Sequence, residues 1–290
     1  MTNKWVLAAR PPTLLTGVAP VLVGSASAFR DSVAALVPFV VILVSALAIQ
    51  IGVNFANDLA DAHKGADTEA RIGPMRTVSS GLIRPAEMKL GIAVAFGVAG
   101  IGGVYLIWYA GWVIAAIGII SIIAALGYTN GPIPYGYYGL GEVFVFVFFG
   151  LVATAGTRYV YDMTVPSAAW TGGIVMGFLA AAVLEANNIR DLDTDREAKK
   201  WTIAVLVGRG NARKLFVVTL FLAYFTILFG SMVGLLPPMC VIALVGVPLG
   251  IPLVETVYKT TDGPELISVL KGTALLQFLT AVMLSLGIMF

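Results

Sequence analysis

Apolar runs of about twenty residues make up most of the chain and decide what it can fold into. A helix that crosses a bilayer needs about 20 mostly apolar residues. The sequence contains nine such runs, with approximate bounds 14–29, 36–56, 88–108, 112–130, 140–158, 168–188, 214–234, 238–257 and 268–289. Hydrophobic residues account for 59% of the 290 positions and charged residues for 12%, against about a quarter in soluble domains. We therefore predict an all-α membrane protein of nine transmembrane helices, with residues 1–290 forming one transmembrane domain.

Local sequence features refine this prediction. The first run is short, and the pair Pro248 and Pro252 predicts a kink in the eighth. No charged leader with a cleavage site precedes the first run, so we expect no removable signal peptide. Small residues allow helices to approach closely, and we expect this of Gly97, Gly100, Gly102, Gly103, Gly172, Gly173 and Gly177.

The positions of lysine and arginine predict the orientation in the membrane. With the N-terminus in the cytoplasm, inner segments carry 16 of these residues and outer segments carry only Arg30 and Arg158. Such a bias follows the positive-inside rule. We therefore predict a protein integral to the cytoplasmic membrane, with its N-terminus inside. A net charge of +2 is too small to suggest nucleic-acid binding.

Two short polar stretches follow the second and sixth predicted spans, on the cytoplasmic side. The first acidic island, 57–67, reads NDLADAHKGAD, and the second, 187–196, reads NNIRDLDTDR. Residues three or four apart share a helix face. One face of each island therefore carries an amide and two carboxylates: Asn54, Asp58 and Asp61 in the first, and Asn187, Asp191 and Asp195 in the second.

The composition of the islands indicates a metal site. Clustered carboxylates repel one another unless cations lie between them. Carboxylate and amide oxygens suit Mg²⁺, which usually binds one or two carboxylates and completes its shell with water and substrate phosphates. The predicted metal ligands are Asp58, Asp61, Asp67, Asp191 and Asp195, assisted by Asn54, Asn57, Asn187 and Asn188.

Basic residues close to the islands indicate that the metal binds a diphosphate. Metal ions and Lys/Arg clamps together neutralise the charge of a leaving diphosphate. The predicted clamp consists of Lys64, Arg76, Arg190 and Lys200. A site at the membrane favours a polyprenyl diphosphate as the substrate. Loss of the diphosphate leaves an allylic cation, and the faces of aromatic rings could stabilise that cation. Candidate aromatic residues are Tyr128, Phe144, Phe146, Phe148, Phe149 and Tyr159.

Simpler interpretations compete with this one. Charged loops beside membrane spans are usually just solvated, although two similar islands on one side of the membrane make that explanation the weaker. His63 has no counterpart in the second island, so we expect it to be solvated. Cys240 lies in an apolar run, and we expect a buried structural thiol.

The sequence resembles the UbiA superfamily of intramembrane aromatic prenyltransferases. Asn57, Asp58, Asp61 and Asp67 match its NDxxD motif with a further aspartate, and Asp191 and Asp195 match its second motif. The stretches 128–132 (YTNGP) and 187–191 (NNIRD) are similar to the branch that acts on 1,4-dihydroxy-2-naphthoate.

The resemblance implies nine helices around a central cavity, with Mg²⁺ and a polyprenyl diphosphate at the cytoplasmic end. It implies prenyl transfer to 1,4-dihydroxy-2-naphthoate with loss of CO₂ and diphosphate, giving demethylmenaquinol. Asp58, Asp61, Asp191 and Asp195 would then be catalytic. Further candidates for substrate binding are Tyr128, Glu142, Arg158 and Tyr159.

Two alternatives stay open. The acceptor could instead be 4-hydroxybenzoate, homogentisate or a glycerol-phosphate lipid. The acids could also belong to an ion-coupled transporter, since charges within membranes often mark transport routes. Transporters usually place their sites near the bilayer midplane, whereas these acids lie at predicted helix ends.

Overall fold

The computed structural model describes residues 3–64, 76–128 and 134–290. Every regular element within these ranges is helical, which confirms the predicted all-α class. The α-helices are α1 (Lys4–Ala9), α2 (Pro11–Arg30), α3 (Leu36–Lys64), α4 (Pro85–Ala110), α5 (Trp112–Gly127), α6 (Gly141–Val145), α7 (Ala153–Asp162), α8 (Ser167–Arg190), α9 (Leu192–Glu197), α10 (Ile203–Met232), α11 (Gly246–Lys259) and α12 (Gly263–Met289). Short 3₁₀ turns occupy Tyr135–Tyr137 and Pro238–Val245, and a π-helical segment, Phe146–Val152, joins α6 to α7.

Eight of the described helices are long and apolar enough to cross a membrane, and α5 is a shorter apolar helix. Each of the nine predicted runs therefore corresponds to a helix. The bounds differ in places, because α10 begins at Ile203, well before the predicted 214. The first span is a full 20 residues, Pro11–Arg30, rather than a short one.

The predicted proline kink takes a different form. Pro252 lies inside α11, and the change in helix geometry comes earlier, where the 3₁₀ turn Pro238–Val245 passes into α11. Proline lacks the N–H needed for an internal helical bond, but neighbouring helices in a membrane protein can compensate for that loss.

Helix α8 lies at the centre of the bundle and packs against α2, α10, α12 and the π-helical segment. Its glycines allow this, because a Cβ on Gly172 would meet the Val23 side chain of α2. A Cβ on Gly177 would lie 2.8 Å from the Phe146 carbonyl oxygen. Around these contacts, the largest cluster of buried apolar residues spans α2, α8, α10 and α12.

The predicted glycine contacts hold only in part. Gly102, Gly172, Gly173 and Gly177 do face neighbouring helices. The prediction is wrong for Gly97, Gly100 and Gly103, since no described atom lies within 4 Å of a Cβ added to them. Sequence alone cannot separate a small residue at a helix interface from one that faces lipid.

Side-chain contacts identify the two ends of the bundle. Asn54, near the end of α3, donates to the Ala9 carbonyl at 2.8 Å and to Thr13 Oγ1 at 3.0 Å. The start of α2 therefore lies at the same end of the bundle as the first acidic island. At the far end, Arg158 of α7 donates to Asp31, which follows α2, at 2.7 Å, and to Asp162 at 2.5 Å.

The close approach of α8 to the π-helical segment gives a test of the packing. A Cβ at Gly150 would lie 2.6 Å from the Gly173 carbonyl oxygen, so we expect Gly150→Ala to cost about 1–3 kcal/mol through overpacking. Gly97→Ala, which meets no described atom, is the matched control and should be neutral or slightly stabilising. Thermal unfolding in detergent measures both, and equal midpoints for the two variants would contradict the packing described.

Candidate functional site

Asp58 of the first island anchors the chain that follows the undescribed residues 65–75. Its carboxylate is buried and accepts three hydrogen bonds: Thr77 N at 3.0 Å, Thr77 Oγ1 at 3.2 Å and Val78 N at 3.1 Å. An ionised carboxylate offers about four lone-pair sites. Asp58 therefore holds the 76–80 turn against α3 and keeps about one site for another partner.

Asp61 lies one helical turn further along α3 and forms an ion pair with Arg76. Both side chains are mostly buried, with 13% and 9% of their surface exposed. Because Thr77 is held by Asp58, the neighbouring Arg76 is carried to Asp61. The two aspartates thus have different partners: one fixes the backbone of the turn, and the other binds the guanidinium that the turn presents.

The second island is not one continuous helix. Helix α8 ends at Arg190, and α9 begins at Leu192, with Asp191 as the residue between them. The four-residue spacing survives across the break, because Asp195 N donates to the Asp191 carbonyl at 2.7 Å. Asn187 Nδ2 also lies 3.4 Å from Asp191 Oδ2. Asn187 and Asp191 therefore share a face as predicted, although the helix is interrupted at Asp191.

Arg190 is buried and binds Asp191 in a two-pronged arrangement. Its Nε donates to Oδ1 at 2.7 Å and its Nη2 to Oδ2 at 2.5 Å. The same Nη2 donates to Asn187 Oδ1 at 2.9 Å. Paired bonds of this kind between arginine and carboxylate are strong, so these three side chains form one hydrogen-bonded unit at the end of α8.

Lys200 pairs with Asp195, the last acid of the second motif. Its Nζ lies 3.2 and 3.4 Å from the two carboxylate oxygens, and its backbone N donates to the Asp195 carbonyl at 2.8 Å. Burial raises the pKa of the Asp195 carboxyl, and the nearby Lys200 charge works against that shift. Burial alone would lower the pKa of Lys200, but Tyr128 and Asp195 raise it, so the ammonium stays charged.

The two islands meet at one place in the structure. The carboxylates of Asp61 and Asp195, one from each island, both act electrostatically on the hydroxyl of Tyr128 and on that of Tyr137. Lys200 acts on the same two hydroxyls. Asp61 and Asp195 therefore both lie near the segment that carries Tyr128 and Tyr137 at one end of the bundle.

The segment 134–140 closes one side of this region. Gly136 N donates to the Tyr128 carbonyl at 3.1 Å, and Trp201 N donates to the Tyr137 carbonyl at 3.1 Å. The segment thus joins the end of α5 to the residues that follow the second island. Sequence analysis missed Tyr137, because nothing in the run YGYYG at 135–139 distinguishes one tyrosine from the next.

A row of aromatic rings leads away from the site. Tyr128 meets Tyr135 edge-on with ring centroids 5.5 Å apart, and Tyr135 stacks on Phe144 at 3.9 Å. Phe144 in turn stacks on Phe148 at 6.0 Å. Of the other aromatic candidates, Phe146 packs against Phe178 of α8 at 4.9 Å. The row runs from the acidic end into the membrane-spanning part of α6 and the π-helical segment.

Glu142 and Asn188 form a second layer beneath the acids. Asn188 Nδ2 donates to Glu142 Oε1 at 2.8 Å, and both residues are buried. Glu185, one turn before Asn188, accepts from Thr219 Oγ1 at 2.8 Å. Among the described residues, the second oxygen of each glutamate has no hydrogen-bond partner. The two carboxyl groups line one narrow apolar pocket with Ile189 and residues of α10.

Other predicted site residues lie elsewhere or beyond the described ranges. Arg158 binds Asp31 and Asp162 at the far end of the bundle, and Tyr159 follows it on α7, so the structure does not bring either to the acids. Asp67 and the Lys64 side chain lie outside the described residues. Asn57 is half-buried on α3, one turn before Asp61.

Two expectations about single residues are met. His63 is exposed at the end of α3, as predicted for a solvated position. Cys240 is fully buried and free, as predicted for a structural thiol.

The donor set fits Mg²⁺ bound together with a phosphate ligand. Within residues 3–64, 76–128 and 134–290, no three Asp, Glu, His or Cys side chains form a cluster ready to hold a metal. Mg²⁺ does not need such a cluster, because it usually takes one or two carboxylates and fills its shell with water and phosphate oxygens. Asp61, Asp191 and Asp195 are oxygen donors of the required kind, and each already attracts a cationic side chain.

Comparison with known proteins identifies the family. A family model described as the UbiA prenyltransferase family matches residues 17–285. The chain belongs to the UbiA prenyltransferase family. The UbiA resemblance seen in the sequence is therefore confirmed, and so is the expectation that the protein is an enzyme that transfers prenyl groups.

Individual UbiA relatives agree over nearly the whole chain. A protein from Mycobacterium tuberculosis named 1,4-dihydroxy-2-naphthoate octaprenyltransferase is 38% identical over 96% of this chain and 94% of its own. A protein of the same name from Haemophilus influenzae is 33% identical over 99% of this chain and 96% of its own.

Solved structures of UbiA homologs support the fold. The apo structure of a UbiA homolog from Aeropyrum pernix K1 has a TM-score of 0.71 at 14% identity, covering 95% of this chain and 96% of that one. A UbiA homolog from Archaeoglobus fulgidus, solved with GPP and Mg²⁺, has a TM-score of 0.63 at 16% identity, covering 98% of this chain and 100% of that one.

The different roles of two acids can be tested by stability. Asp58→Asn replaces one acceptor oxygen with an N–H that faces backbone donors, and we expect a loss of about 1–3 kcal/mol. Asp193→Asn is the control, because Asp193 is exposed and pairs with Arg209 at the surface, where an ion pair contributes about 0–1 kcal/mol. Thermal unfolding in detergent measures both. An Asp58→Asn variant as stable as the control would show that the turn does not depend on this carboxylate.

Proposed function

We propose that this protein transfers a polyprenyl group from polyprenyl diphosphate to 1,4-dihydroxy-2-naphthoate, in a Mg²⁺-dependent step of menaquinone biosynthesis. The observation that supports the proposal best is that Asp61 and Asp195, one from each island, both lie near Tyr128 and Tyr137, and that Asp61, Asp191 and Asp195 are each paired with a base. The names of the relatives at 33–38% identity support the choice of acceptor.

The ion pairs describe a site prepared for a charged ligand. Three carboxylates are each matched with one base: Asp61 with Arg76, Asp191 with Arg190 and Asp195 with Lys200. A Mg²⁺–diphosphate unit also carries both signs of charge: the metal can replace a base beside a carboxylate, and the diphosphate can replace a carboxylate beside a base. On binding, the carboxylates would turn to the metal and the bases to the phosphate oxygens, so that no buried charge loses a partner.

Residues of this chain would hold the metal and the leaving group. Asp61, Asp191 and Asp195 are proposed as Mg²⁺ ligands, with Asn57 and Asn187 beside them, and Asp58 and Asp67 complete the proposed set. The metal would supply a positive charge that stabilises the departing diphosphate. Arg76, Arg190 and Lys200 would donate hydrogen bonds to its oxygens as negative charge grows on them.

The aromatic row suits the prenyl end of the substrate. When the carbon–oxygen bond breaks, both electrons leave with the diphosphate and an allylic cation remains. Ring faces attract such a cation. Tyr128, Tyr135 and Phe144 stand in one contiguous row that begins beside Lys200. We propose that the first isoprene units lie along this row and that the rest of the chain extends into the bilayer.

Attack of the acceptor would complete the reaction without a dedicated base. The ring carbon that carries the carboxylate forms the new carbon–carbon bond with the allylic carbon. The carboxylate then leaves as CO₂, and its bonding electrons restore the aromatic ring. Since CO₂ departs in place of a proton, no ring proton has to be removed. The product would be demethylmenaquinol.

We further propose that the acidic end faces the cytoplasm. The excess of lysine and arginine in the segments on that side supports this orientation. A polyprenyl diphosphate would then bind with its charged head at the inner membrane surface and its chain among lipids. The transporter alternative loses support, because the family and the relatives are prenyltransferases.

Binding of the metal and the diphosphate should be mutually dependent. We expect Mg²⁺ and inorganic diphosphate together to raise the unfolding midpoint by several degrees, and either alone to raise it little, because the site needs both charges. A ligand at about 100 times its Kd stabilises a protein by about 2.7 kcal/mol. Differential scanning fluorimetry measures this directly. Equal shifts with diphosphate alone and with Mg²⁺ present would argue against a shared metal site.

Turnover should depend on the paired acids and on the acceptor. We expect purified protein with Mg²⁺ to prenylate 1,4-dihydroxy-2-naphthoate in preference to 4-hydroxybenzoate or homogentisate. Asp61→Asn and Asp195→Asn should lower kcat/KM by about a hundredfold or more, since each removes an electrostatic contact made to the transition state. The exposed Asp193→Asn is the matched control and should keep the original rate.

The outcomes separate the parts of the proposal. Efficient reaction with a different acceptor would overturn the assignment of the naphthoate while leaving prenyl transfer intact. Full activity in both Asp61→Asn and Asp195→Asn would remove the two islands from the reaction.

A further inference from the structure

Gly208 interrupts α10 close to its start. Its φ of 78° and ψ of 158° are the only non-helical values inside this helix, which runs from Ile203 to Met232. Residues that carry a side chain almost never adopt this combination, because their Cβ collides with the neighbouring main chain. The bend at Gly208 therefore separates a short first part, residues 203–207, from the rest of α10.

Side chains that follow the bend hold it in place. Asn211 Nδ2 donates to the Val207 carbonyl across the break at 3.1 Å. Arg209 Nη1 donates at 2.9 Å to the carbonyl of Ile189, near the end of α8, where a helix leaves its last carbonyls without internal partners. The chain just after the bend is thereby tied to the helix that leads into the second island.

The short part before the bend is anchored separately. Ala204 and Val205 are buried in the largest apolar cluster of the bundle. Leu206 packs against the main chain at Gly139, where an added Cβ would lie 2.8 Å from the Leu206 Cδ1 atom. Both sides of the break are therefore fixed by their own contacts, and the bend at Gly208 is what makes the two orientations compatible.

Lys200 lies directly ahead of this short part. Thr202 N donates to the Lys200 carbonyl at 3.0 Å, which leaves little slack between the lysine and the start of α10. The Lys200 Nζ lies 3.2 and 3.4 Å from the two carboxylate oxygens of Asp195. A change of direction at Gly208 would therefore move Lys200 relative to Asp195.

We propose that Gly208 and Arg209 are positioning residues for the diphosphate end of the substrate, because the bend that they form and hold sets Lys200 against the second island. This rests on the proposed function, in which Lys200 donates to the leaving diphosphate. Gly208 acts through Lys200 rather than by contact with the ligand. Its contribution is the main-chain conformation, since no described atom lies within 4 Å of a Cβ added there.

Gly210 provides a matched control on the same helix. A Cβ added to Gly210 also meets no described atom within 4 Å, but Gly210 has helical φ and ψ. Alanine at either position thus adds the same methyl group to open space, and the two variants differ only in the backbone conformation that alanine must adopt. Gly210→Ala should leave binding and turnover unchanged, with an equal or slightly higher unfolding midpoint.

The test compares Gly208→Ala with Gly210→Ala in the full-length protein in detergent with Mg²⁺. Binding of farnesyl thiolodiphosphate, a diphosphate analogue that does not ionise readily, is measured by calorimetry. Because small misplacements of a binding group are costly, we expect Gly208→Ala to weaken analogue binding by about tenfold or more. In turnover, KM for the prenyl diphosphate should rise in the same variant, and KM for the acceptor should stay unchanged.

A double-mutant cycle with Lys200→Met distinguishes positioning from a general loss of structure. If Gly208 acts through Lys200, Gly208→Ala should change analogue binding little once the ammonium is absent, so the two effects will not add. Full additivity would overturn the inference. Farnesol, which lacks the diphosphate, should bind equally well to the original protein and to every variant.

Arg209→Met tests the same bend without backbone strain, and so covers the case in which Gly208→Ala does not fold. It removes the bond to the Ile189 carbonyl, and we expect weaker analogue binding with unchanged farnesol binding. Arg209 also pairs with Asp193 at the surface, so Asp193→Asn is the control and should bind the analogue normally. Binding of original strength in Arg209→Met would overturn the inference.

Failure of this inference differs from failure of the proposed function. If the original protein binds the analogue and Gly208→Ala binds it equally well, the bend does not position Lys200, and the proposed function is unaffected. Equal weakening in Gly210→Ala, or weakened farnesol binding, would show a general effect on α10 and would also overturn the inference. If the original protein does not bind the analogue at all, both proposals fall.

Discussion

The pairing of carboxylates with bases at one end of an apolar bundle is the interaction on which the candidate site depends. Charges that are mostly excluded from water are costly unless each has an opposite charge within reach. Asp61, Asp191 and Asp195 each meet this condition through a different basic residue. Each pair joins residues that are close in sequence, and the packing of the helices brings Asp61 and Asp195 to the same end of the bundle.

Asp58 and Asp61 show how one short motif can serve two purposes. Asp58 organises the turn after the undescribed residues 65–75, and that turn brings Arg76 to Asp61. The fold of the 76–80 turn and the Asp61–Arg76 ion pair are therefore linked through adjacent turns of α3. On the other side of the site, Lys200 is held by backbone contacts to Asp195 and, through Trp201, to the 134–140 segment. Arg76 and Lys200 are therefore both positioned by hydrogen bonds of the neighbouring main chain.

Sequence was sufficient for the class of fold and for the positions of the acids. Nine apolar runs predicted the helices, and helical spacing predicted which acids share a face, because both depend on local periodicity. Sequence could not supply the break at Asp191, the choice among the seven predicted contact glycines, or the position of Tyr137. These depend on which helix packs against which, and on contacts such as Trp201 N to the Tyr137 carbonyl between residues distant in sequence. Arg158 illustrates the same limit, since its partner Asp31 is 127 positions away.

The π-helical segment 146–152 has a consequence for the outer half of its span. Adding or removing one residue turns everything beyond it by about 100° around the helix axis. In the present register Arg158 is 1% exposed, and its guanidinium binds Asp31. Shortening the segment by one residue would turn that cation away from Asp31, while Asp162, which lies on the same helix, would turn with it. The π-helical segment thus sets the rotation of one continuous span, which carries the Phe144 and Phe148 rings in its first half and the Arg158–Asp31 ion pair at its far end.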